Sequence, residues 1–159
     1  MRKPSLTDFP DEAAEILIRQ ARSLMSGQRD RVANAANLSA LLFQELEDVN
    51  WVGFYFLKGQ ELIVGPFQGK QACVNIPLGK GVCGTAAATR EIQLVPDVHA
   101  FAGHIACDVD SRSELVIPLI RRGEVLGVLD LDSPSAGRFD EKDRLLLTKI
   151  AHIYLQSID

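Results

Sequence analysis

The sequence is poor in several features that would place it in a specialised class of protein. Three of its 159 residues are cysteine, too few for a disulfide-rich scaffold. There are 17 basic residues against 21 acidic ones, and a net charge of −4 argues against a dedicated nucleic-acid binder. Its longest apolar runs, such as residues 115–120, are far too short to span a bilayer. No apolar stretch follows the two basic residues near the N-terminus, so we expect no secretory signal and a cytoplasmic protein with reduced thiols.

The composition is that of an ordinary globular domain. Hydrophobic residues make up 47% and charged residues 24%, both close to the average for folded soluble proteins. A chain of this length buries roughly 70% of the surface that it exposes when unfolded, which is enough for one core. No linker, internal repeat or block of charge divides the sequence, so we expect a single domain over residues 1–159.

The spacing of apolar residues predicts helices at both ends of the chain and strands between them. Four helices are expected. Two cover residues 11–25 and 82–89, and the other two begin after N-caps at Asp30 and Asp140. Strands are expected over residues 51–58, 61–67, 73–78, 92–95, 113–120 and 124–132. Residues 96–112 have no period, and a long loop of this kind is more often functional than idle. This order predicts an α+β sandwich with an antiparallel sheet, not a doubly wound parallel sheet.

The cysteines are the first candidates for chemistry, although any one of them taken alone is most often a small buried hydrophobe. Cys83 follows a glycine pair and is predicted in the first turn of a helix, where the helix dipole lowers the pKa of a thiol. Cys107 lies in the irregular loop and is flanked by Asp108 and Asp110, whose charges oppose ionisation of its thiol. Local physical chemistry therefore predicts that Cys83 is the more acidic thiol.

The same loop also suggests a metal site. His99, His104 and Cys107 carry the imidazole and thiolate groups that zinc prefers. Their spacing, His-x4-His-x2-Cys, matches no compact zinc motif, and a fourth ligand must come from elsewhere. Polar loop residues without a metal are therefore the favoured interpretation.

Three acidic residues are predicted to lie close together on the last two strands. Asp130 and Asp132 share one face of their strand because side chains alternate. If residues 121–123 form a three-residue loop, Glu114 lies opposite Asp130 and diagonal to Asp132, and like charges this close create a proton donor near neutral pH. A two-residue turn instead places Glu114 on the opposite face. The sequence leaves both registers open, and a solvated polar face is the simpler interpretation.

The first predicted strand carries large apolar residues on both faces. One face presents Trp51, Gly53 and Tyr55, and the other presents Val52, Phe54 and Phe56. One face must pack into the core. The other can form an aromatic wall that suits a methyl-sulfur group or an ammonium, although core packing of both faces is the simpler interpretation.

Five segments, in order along the chain, resemble the free methionine-(R)-sulfoxide reductase family of GAF-domain enzymes. They are NWVGFYFL from Asn50, GPFQGKQAC ending at Cys73, IPLGKGVCGTAA from Ile76, HIACDVDSRSELVIPL from His104 and GVLDLDSP from Gly127. The resemblance runs through about residues 29–155. It implies a single α+β GAF-like domain over residues 1–159, with residues 1–28 as an N-terminal helical extension. It also implies a central antiparallel sheet with the N-terminal helices and a C-terminal helix packed on one face.

The resemblance implies a role for each cysteine. Cys107, in HIACD, matches the nucleophile of the family, and Cys73, in GKQAC, matches the thiol that resolves it as a disulfide. Cys83, in GVCG, matches a third cysteine, an accessory or alternative resolving thiol. The resemblance thus favours Cys107 as the reactive thiol, against the local preference for Cys83, and we follow the resemblance.

The resemblance also implies the pocket and the reaction. The implied substrate-binding residues are Trp51, Tyr55, Glu114, Asp130 and Asp132, with Glu114 or Asp132 as the catalytic proton donor. The implied reaction reduces free methionine-(R)-sulfoxide through a sulfenic acid and an intramolecular disulfide, with thioredoxin as the external reductant. No bound cofactor and no metal is implied. The expected partners are the free sulfoxide, thioredoxin and a second copy of the chain in a homodimer, with no nucleic acid and no membrane.

Two other functions are compatible with these features. GAF domains commonly bind small ligands without catalysis, and a cysteine pair can act as a thiol redox switch that has no sulfoxide substrate. A bare ligand-binding module has no need of Cys73 and Cys107, which favours the enzyme. The loss of two free thiols on addition of methionine sulfoxide would distinguish the enzyme from the module.

Overall fold

The computed structural model describes residues 12–103 and 110–159. In order, they form α1 (Glu12–Met25), α2 (Arg31–Glu45), β1 (Trp51–Lys58), β2 (Glu61–Gly69), β3 (Asn75–Pro77), α3 (Gly81–Thr89), β4 (Gln93–Val95), a short 3-10 helix (Val98–Ala100), β5 (Ser113–Arg121), β6 (Glu124–Ser133) and α4 (Glu141–Ser157). Each predicted helix and strand is present, and the boundaries differ most at β2, which is longer than predicted, and at β3, which is shorter. None of the helices in these two ranges is long and apolar enough to cross a membrane.

Capping residues set where two of the helices begin. Asp30 caps α2, because its carboxylate accepts a hydrogen bond from the backbone N–H of Ala33 over 2.8 Å. Asp140 caps α4 by accepting from the backbone N–H of Asp143. The Asp143 carboxylate in turn accepts from the backbone N–H of Asp140 over 2.9 Å, which completes a capping box. Both predicted N-caps are therefore confirmed.

The strands form one antiparallel sheet in the order β3-β2-β1-β6-β5-β4. Helix α2 lies against β1 and β2, and α4 lies against β5 and α1. These three helices cover one face of the sheet, while α3 contacts β5 and β6 from the other. The predicted α+β architecture, with the first two helices and the last one on one face, is confirmed.

The sheet separates two buried cores. The larger core lies against α1, α2 and α4 and contains Phe54 and Tyr154, whose ring centroids are 4.7 Å apart. The smaller core lies against α3 and contains Trp51, Tyr55 and Cys83. Alternation along β1 explains this division, because Trp51 and Tyr55 point to one face and Phe54 to the other. Both faces of β1 are therefore buried.

Candidate active site

Three acidic side chains meet on the face of the sheet that carries α3. Between β5 and β6, Glu114 pairs with Asp132, and Val116 pairs with Asp130. Between β1 and β6, Trp51 pairs with Asp132. Because paired residues point to the same face, the acids share one side of the sheet with Trp51. The shared face agrees with the prediction, but Glu114 lies opposite Asp132 and not opposite Asp130.

The turn between β5 and β6 differs from the predicted three-residue loop. Arg121 pairs with Glu124, so Arg122 and Gly123 alone lie in the turn. Both have a positive φ, 54° for Arg122 and 78° for Gly123, as in a type I′ hairpin turn. A two-residue turn on its own would have directed the acid on β5 to the opposite face from those on β6.

A β-bulge in β6 restores the shared face. Leu119 pairs with Gly127 whereas Ile120 pairs with Val125, so Leu126 is an extra residue in β6. The bulge shifts the ladder by one position, and the acids of both strands then point to the α3 side. The sequence carries one signal of it in Gly127, since a glycine inside a strand often marks a bulge.

Burial keeps a proton on this acidic cluster. Glu114 is 7% exposed and Asp130 is 4% exposed. Burial raises the pKa of Glu114 well above its usual range, and the charges of Asp130 and Asp132 raise it further. Burial also raises the pKa of Asp130, although hydrogen bonds with Glu114 and Cys83 oppose that rise. Glu114 is therefore better placed than Asp130 to hold a proton.

One oxygen of Asp130 has no hydrogen-bond partner among the described residues. Oδ1 of Asp130 is buried, and within the two described ranges it accepts no hydrogen bond. A buried carboxylate oxygen without a hydrogen bond has lost its water and gained no other donor, which costs free energy. Binding of a ligand that donates a hydrogen bond would remove this cost. The atom is thus a suitable acceptor for an ammonium or another cationic group.

Trp51 and Tyr55 stand beside the acids and form an aromatic wall together with Phe67 of β2. The Trp51 ring stacks on Phe67, with centroids 5.2 Å apart and 17° between the planes, and its centroid lies 5.8 Å from that of Tyr55. Nε1 of Trp51 donates a hydrogen bond to the backbone carbonyl of Lys70 over 3.0 Å. These contacts hold the indole in one orientation next to Asp132.

Phe67 is the member of this wall that the sequence analysis missed. It pairs with Gly53 across β1 and β2, and a Cβ on Gly53 would lie 2.3 Å from the Cβ of Phe67. The same Cβ would lie 2.7 Å from the indole of Trp51. A glycine in the middle of an aromatic strand indicates the close approach of another group, and this signal could have located Phe67.

Cys83 is a free, buried thiol in the first turn of α3, inside this site. Its Sγ lies 3.8 Å from Oε2 of Glu114. Burial raises the pKa of Cys83 well above its usual value, and the charges of Asp130 and Glu114 raise it further. The prediction that the helix dipole lowers the pKa of Cys83 is therefore wrong, because burial among carboxyl groups outweighs the dipole.

Cys73 lies between β2 and β3, close to the aromatic wall. It is half-buried, and its backbone carbonyl accepts a hydrogen bond from the hydroxyl of Tyr55 over 3.3 Å. This bond fixes the position of the chain at Cys73 relative to the pocket. Cys107 and Asp108 lie outside the described residues, so the role of Cys107 stays a prediction.

The structure describes one of the three residues in the loop zinc hypothesis. His99 lies in the 3-10 helix and is exposed. His104 and Cys107 lie outside the described residues. The zinc hypothesis for this loop therefore stays a prediction.

Comparison with known proteins relates this geometry to a family. Residues 10–158 match the family model described as the GAF domain. The free methionine-R-sulfoxide reductase of Escherichia coli (strain K12) is 53% identical over 127 residues, which cover 80% of this chain and 77% of that protein.

Two solved structures share the fold and much of the sequence. The fRMsr of Staphylococcus aureus in complex with substrate is 47% identical, with a TM-score of 0.88, covering 95% of this chain and 98% of that one. The free methionine-R-sulfoxide reductase of Neisseria meningitidis in complex with its substrate is 40% identical, with a TM-score of 0.88. The match covers 99% of this chain and 94% of that one. The chain therefore belongs to the free methionine-R-sulfoxide reductases of the GAF domain family.

Proposed function

We propose that this chain reduces free L-methionine-(R)-sulfoxide to L-methionine. The observation that carries the proposal is the buried Oδ1 of Asp130, which accepts no hydrogen bond from the described residues and lies in one pocket with the buried Glu114 and an aromatic wall. Its relatives named as free methionine-R-sulfoxide reductases, two of them solved with substrate, support the same activity. The pocket thus offers an anionic oxygen, an acidic proton and an apolar surface to one small molecule.

The anionic oxygen explains why the substrate should be the free amino acid. Asp130 can pair with the α-ammonium of free methionine sulfoxide, and Asp132 lies two residues further along β6 on the same face. A methionine sulfoxide inside a polypeptide has an amide in that place and leaves the buried carboxylate unpaired. Leaving a buried polar group unpaired discriminates strongly against the wrong substrate.

Trp51 and Tyr55 suit the other end of the substrate. An aromatic ring offers favourable contacts to a sulfur atom and to the methyl group that it carries. Tyr55 is 3% exposed, and burial, then the charge of Asp130, raises its pKa, so its hydroxyl stays neutral. The wall therefore presents no charge to the sulfoxide.

The proposed chemistry divides between a thiol and an acid. The Cys107 thiolate attacks the sulfoxide sulfur while Glu114 donates a proton to its oxygen. The oxygen passes to Cys107 as a sulfenic acid, two electrons move to the substrate, and methionine leaves. Glu114 is preferred to Asp132 as the donor because burial holds its proton.

The Cys73 thiol then condenses with the sulfenic acid, which forms a disulfide and releases water. Cys83 is an alternative resolving thiol, and its raised pKa makes it the slower of the two. A dithiol of the thioredoxin class reduces the disulfide and restores both cysteines. Thioredoxin as the reductant and a homodimer are parts of the proposal that rest on the sequence resemblance, and a cytoplasmic location is a part that rests on the sequence composition.

The test is NADPH consumption in the presence of thioredoxin, thioredoxin reductase and this protein. Free L-methionine-(R)-sulfoxide, the (S) epimer and an N-blocked (R) peptide are offered separately. We expect oxidation of NADPH with the free (R) epimer alone, and its loss in Cys107→Ser. If no NADPH is oxidised with any of the three substrates, in protein shown to be folded and reduced, the result would contradict the proposal and favour a ligand-binding module.

A further inference from the structure

Cys83, Glu114 and Asp130 bring together three groups of the kinds that bind metal ions. Within residues 12–103 and 110–159, their ligand atoms all lie within 4.8 Å of one another. They come from α3, β5 and β6, three elements that pack directly on one another. The set is therefore held by the fold and does not depend on the arrangement of a loop.

The spacing of the donors suits a tetrahedral ion. On such an ion, a thiolate at about 2.3 Å and a carboxylate oxygen at about 2.0 Å lie roughly 3.5 Å from each other. Sγ of Cys83 and Oε2 of Glu114 are 3.8 Å apart. A movement of a few tenths of an ångström therefore brings the two atoms to ligand separation.

The unpartnered oxygen of Asp130 independently indicates a missing ligand. Asp130 is 4% exposed, and its Oδ1 accepts no hydrogen bond within the described part of the chain. Buried acceptors in native proteins are almost always paired, so this atom has an unmet preference for a donor or a cation. A cation held by Cys83 and Glu114 would lie within its reach.

We propose that Cys83, Glu114 and Asp130 form a binding site for a divalent cation of the zinc class, which occupies the pocket in place of the free sulfoxide. A thiolate among carboxylates suits zinc and its substitutes cadmium and cobalt, whereas magnesium and calcium take oxygen ligands. Three protein ligands leave the fourth position to water. The ion is an inhibitor and not a cofactor, and this blocking role rests on the proposed function whereas binding does not.

Binding exchanges protons for the ion without transfer of electrons. The Cys83 thiol loses its proton and becomes a thiolate ligand, and Glu114 loses the proton that it holds. Binding of the divalent cation therefore releases protons into solution, and a chelator reverses the exchange.

The binding test uses the double variant Cys73→Ser with Cys107→Ser, in which Cys83 is the sole thiol. Titration of the folded double variant with Co²⁺ should produce the near-ultraviolet charge-transfer band of a thiolate–cobalt bond, with saturation at one ion per chain. The matched control adds Cys83→Ala and should lack the band. If that control does not fold, Asp130→Asn in the double variant replaces it and should weaken cobalt binding.

Glu114→Gln in the double variant tests the second ligand. We expect cobalt affinity to fall more than about 100-fold, because even a lost outer-shell partner weakens metal binding about 10- to 100-fold. The site is overturned if the folded double variant gives no band, if the band survives Cys83→Ala, or if Glu114→Gln binds cobalt unchanged.

The blocking role is tested on the intact chain. Free methionine-(R)-sulfoxide should compete with cobalt in the double variant, and Zn²⁺ should inhibit the wild-type reductase until a chelator is added. An inhibition constant that is the same in Cys83→Ala would assign the inhibition to another thiol and overturn this role. If the wild type has no reductase activity, the cobalt titration still decides the metal site, so the two failures can be told apart.

Discussion

At the scale of single residues, Glu114 has the environment that matters most for the chemistry. It is buried between the charges of Asp130 and Asp132, and burial is the largest cause of its raised pKa. The folded protein therefore holds this proton at a pH where the unfolded chain has released it. The same arrangement lowers the stability of the folded state at that pH.

We expect Glu114→Gln to flatten the dependence of the unfolding temperature on pH. The contribution of Glu114 to stability is fully present below its unfolded pKa of about 4.3 and is lost as the pH rises through its raised folded pKa. Glutamine does not titrate, so the variant should lose less stability over this window. Thermal unfolding followed by circular dichroism at a series of pH values measures both proteins. Parallel curves would contradict a buried, protonated Glu114.

Asp130→Asn should weaken the binding of the free substrate more than it slows the chemistry. A buried charge pair that loses one partner costs about 2–5 kcal/mol, so we expect KM to rise at least about 30-fold. Steady-state kinetics with free methionine-(R)-sulfoxide provide the measurement. An analogue without the ammonium is the control, since it should bind the wild type and the variant alike. An unchanged KM for the free substrate would remove Asp130 from ammonium binding.

Cys83 shows why a local rule can fail at this scale. Its place in the first turn of α3 was predicted correctly from the glycines before it, and the dipole at that position favours a thiolate. The sequence contains no information on how deeply the turn is buried or which carboxyl groups face it. Those facts depend on the packing of α3 on β5 and β6, and they reverse the direction of the pKa shift.

At the scale of elements, the hairpin of β5 and β6 determines whether the acids meet. Alternation predicted correctly that Asp130 and Asp132 share a face, because that follows from the strand alone. The position of Glu114 depends on the turn and on the bulge at Leu126, two features that the sequence marks only weakly through glycines. The sequence therefore indicated that the three acids could meet on one face, but it did not determine the pairing of β5 with β6 that brings them together.

Strand β1 offers a direct test of the aromatic wall. We expect Gly53→Ala to raise KM, because the added Cβ would displace Phe67 and the indole of Trp51. Overpacking of this kind also lowers the free energy of unfolding by about 1–3 kcal/mol. Steady-state kinetics and urea unfolding measure the two effects.

Gly65→Ala is the matched control for that variant. A Cβ on Gly65 would lie 2.9 Å from the ring of Phe56, which packs against the larger core on the helix side. The Gly65→Ala variant should have a lower free energy of unfolding, while its KM stays near the wild-type value. If both glycine variants raise KM equally, the effect of Gly53→Ala comes from general disturbance of the sheet and not from the wall.

At the scale of the whole molecule, the sheet separates the larger core from the proposed binding site, which lies on the opposite face. The larger core lies against α1, α2 and α4, and the acids and the aromatic wall lie in the smaller core under α3. Apolar spacing predicted the α+β architecture, and the family resemblance implied that the N-terminal and C-terminal helices cover one face of the sheet. Which face receives the substrate depends on where α3 packs, and its small apolar residues have no periodic pattern that indicates it.

Leu147→Ala should lower the stability of the protein without changing substrate binding. Leu147 of α4 is fully buried in the larger core, and its truncation should lower the free energy of unfolding by about 2–5 kcal/mol. The KM for free methionine-(R)-sulfoxide should stay unchanged at temperatures where the variant is folded. Val128→Ala, in the smaller core beside Tyr55, is the contrasting variant and should raise KM. An equal rise in KM in both variants would show that the faces are coupled.

The bulge at Leu126 also limits how the length of this chain can vary. Without the bulge, a regular ladder from the type I′ turn would pair Leu119 with Leu126 and Glu114 with Leu131. Glu114 would then lie on the helix side, in the larger core, while Asp130 and Asp132 stayed where they are. Deletion of Leu126 would remove only the extra residue and keep Glu114 opposite Asp132, so the site should survive it. Deletion of one residue of β5 between Glu114 and Leu119 would shift Glu114 by one ladder position and should abolish the site, whereas added residues at the tip, beyond the last ladder pair, should be tolerated.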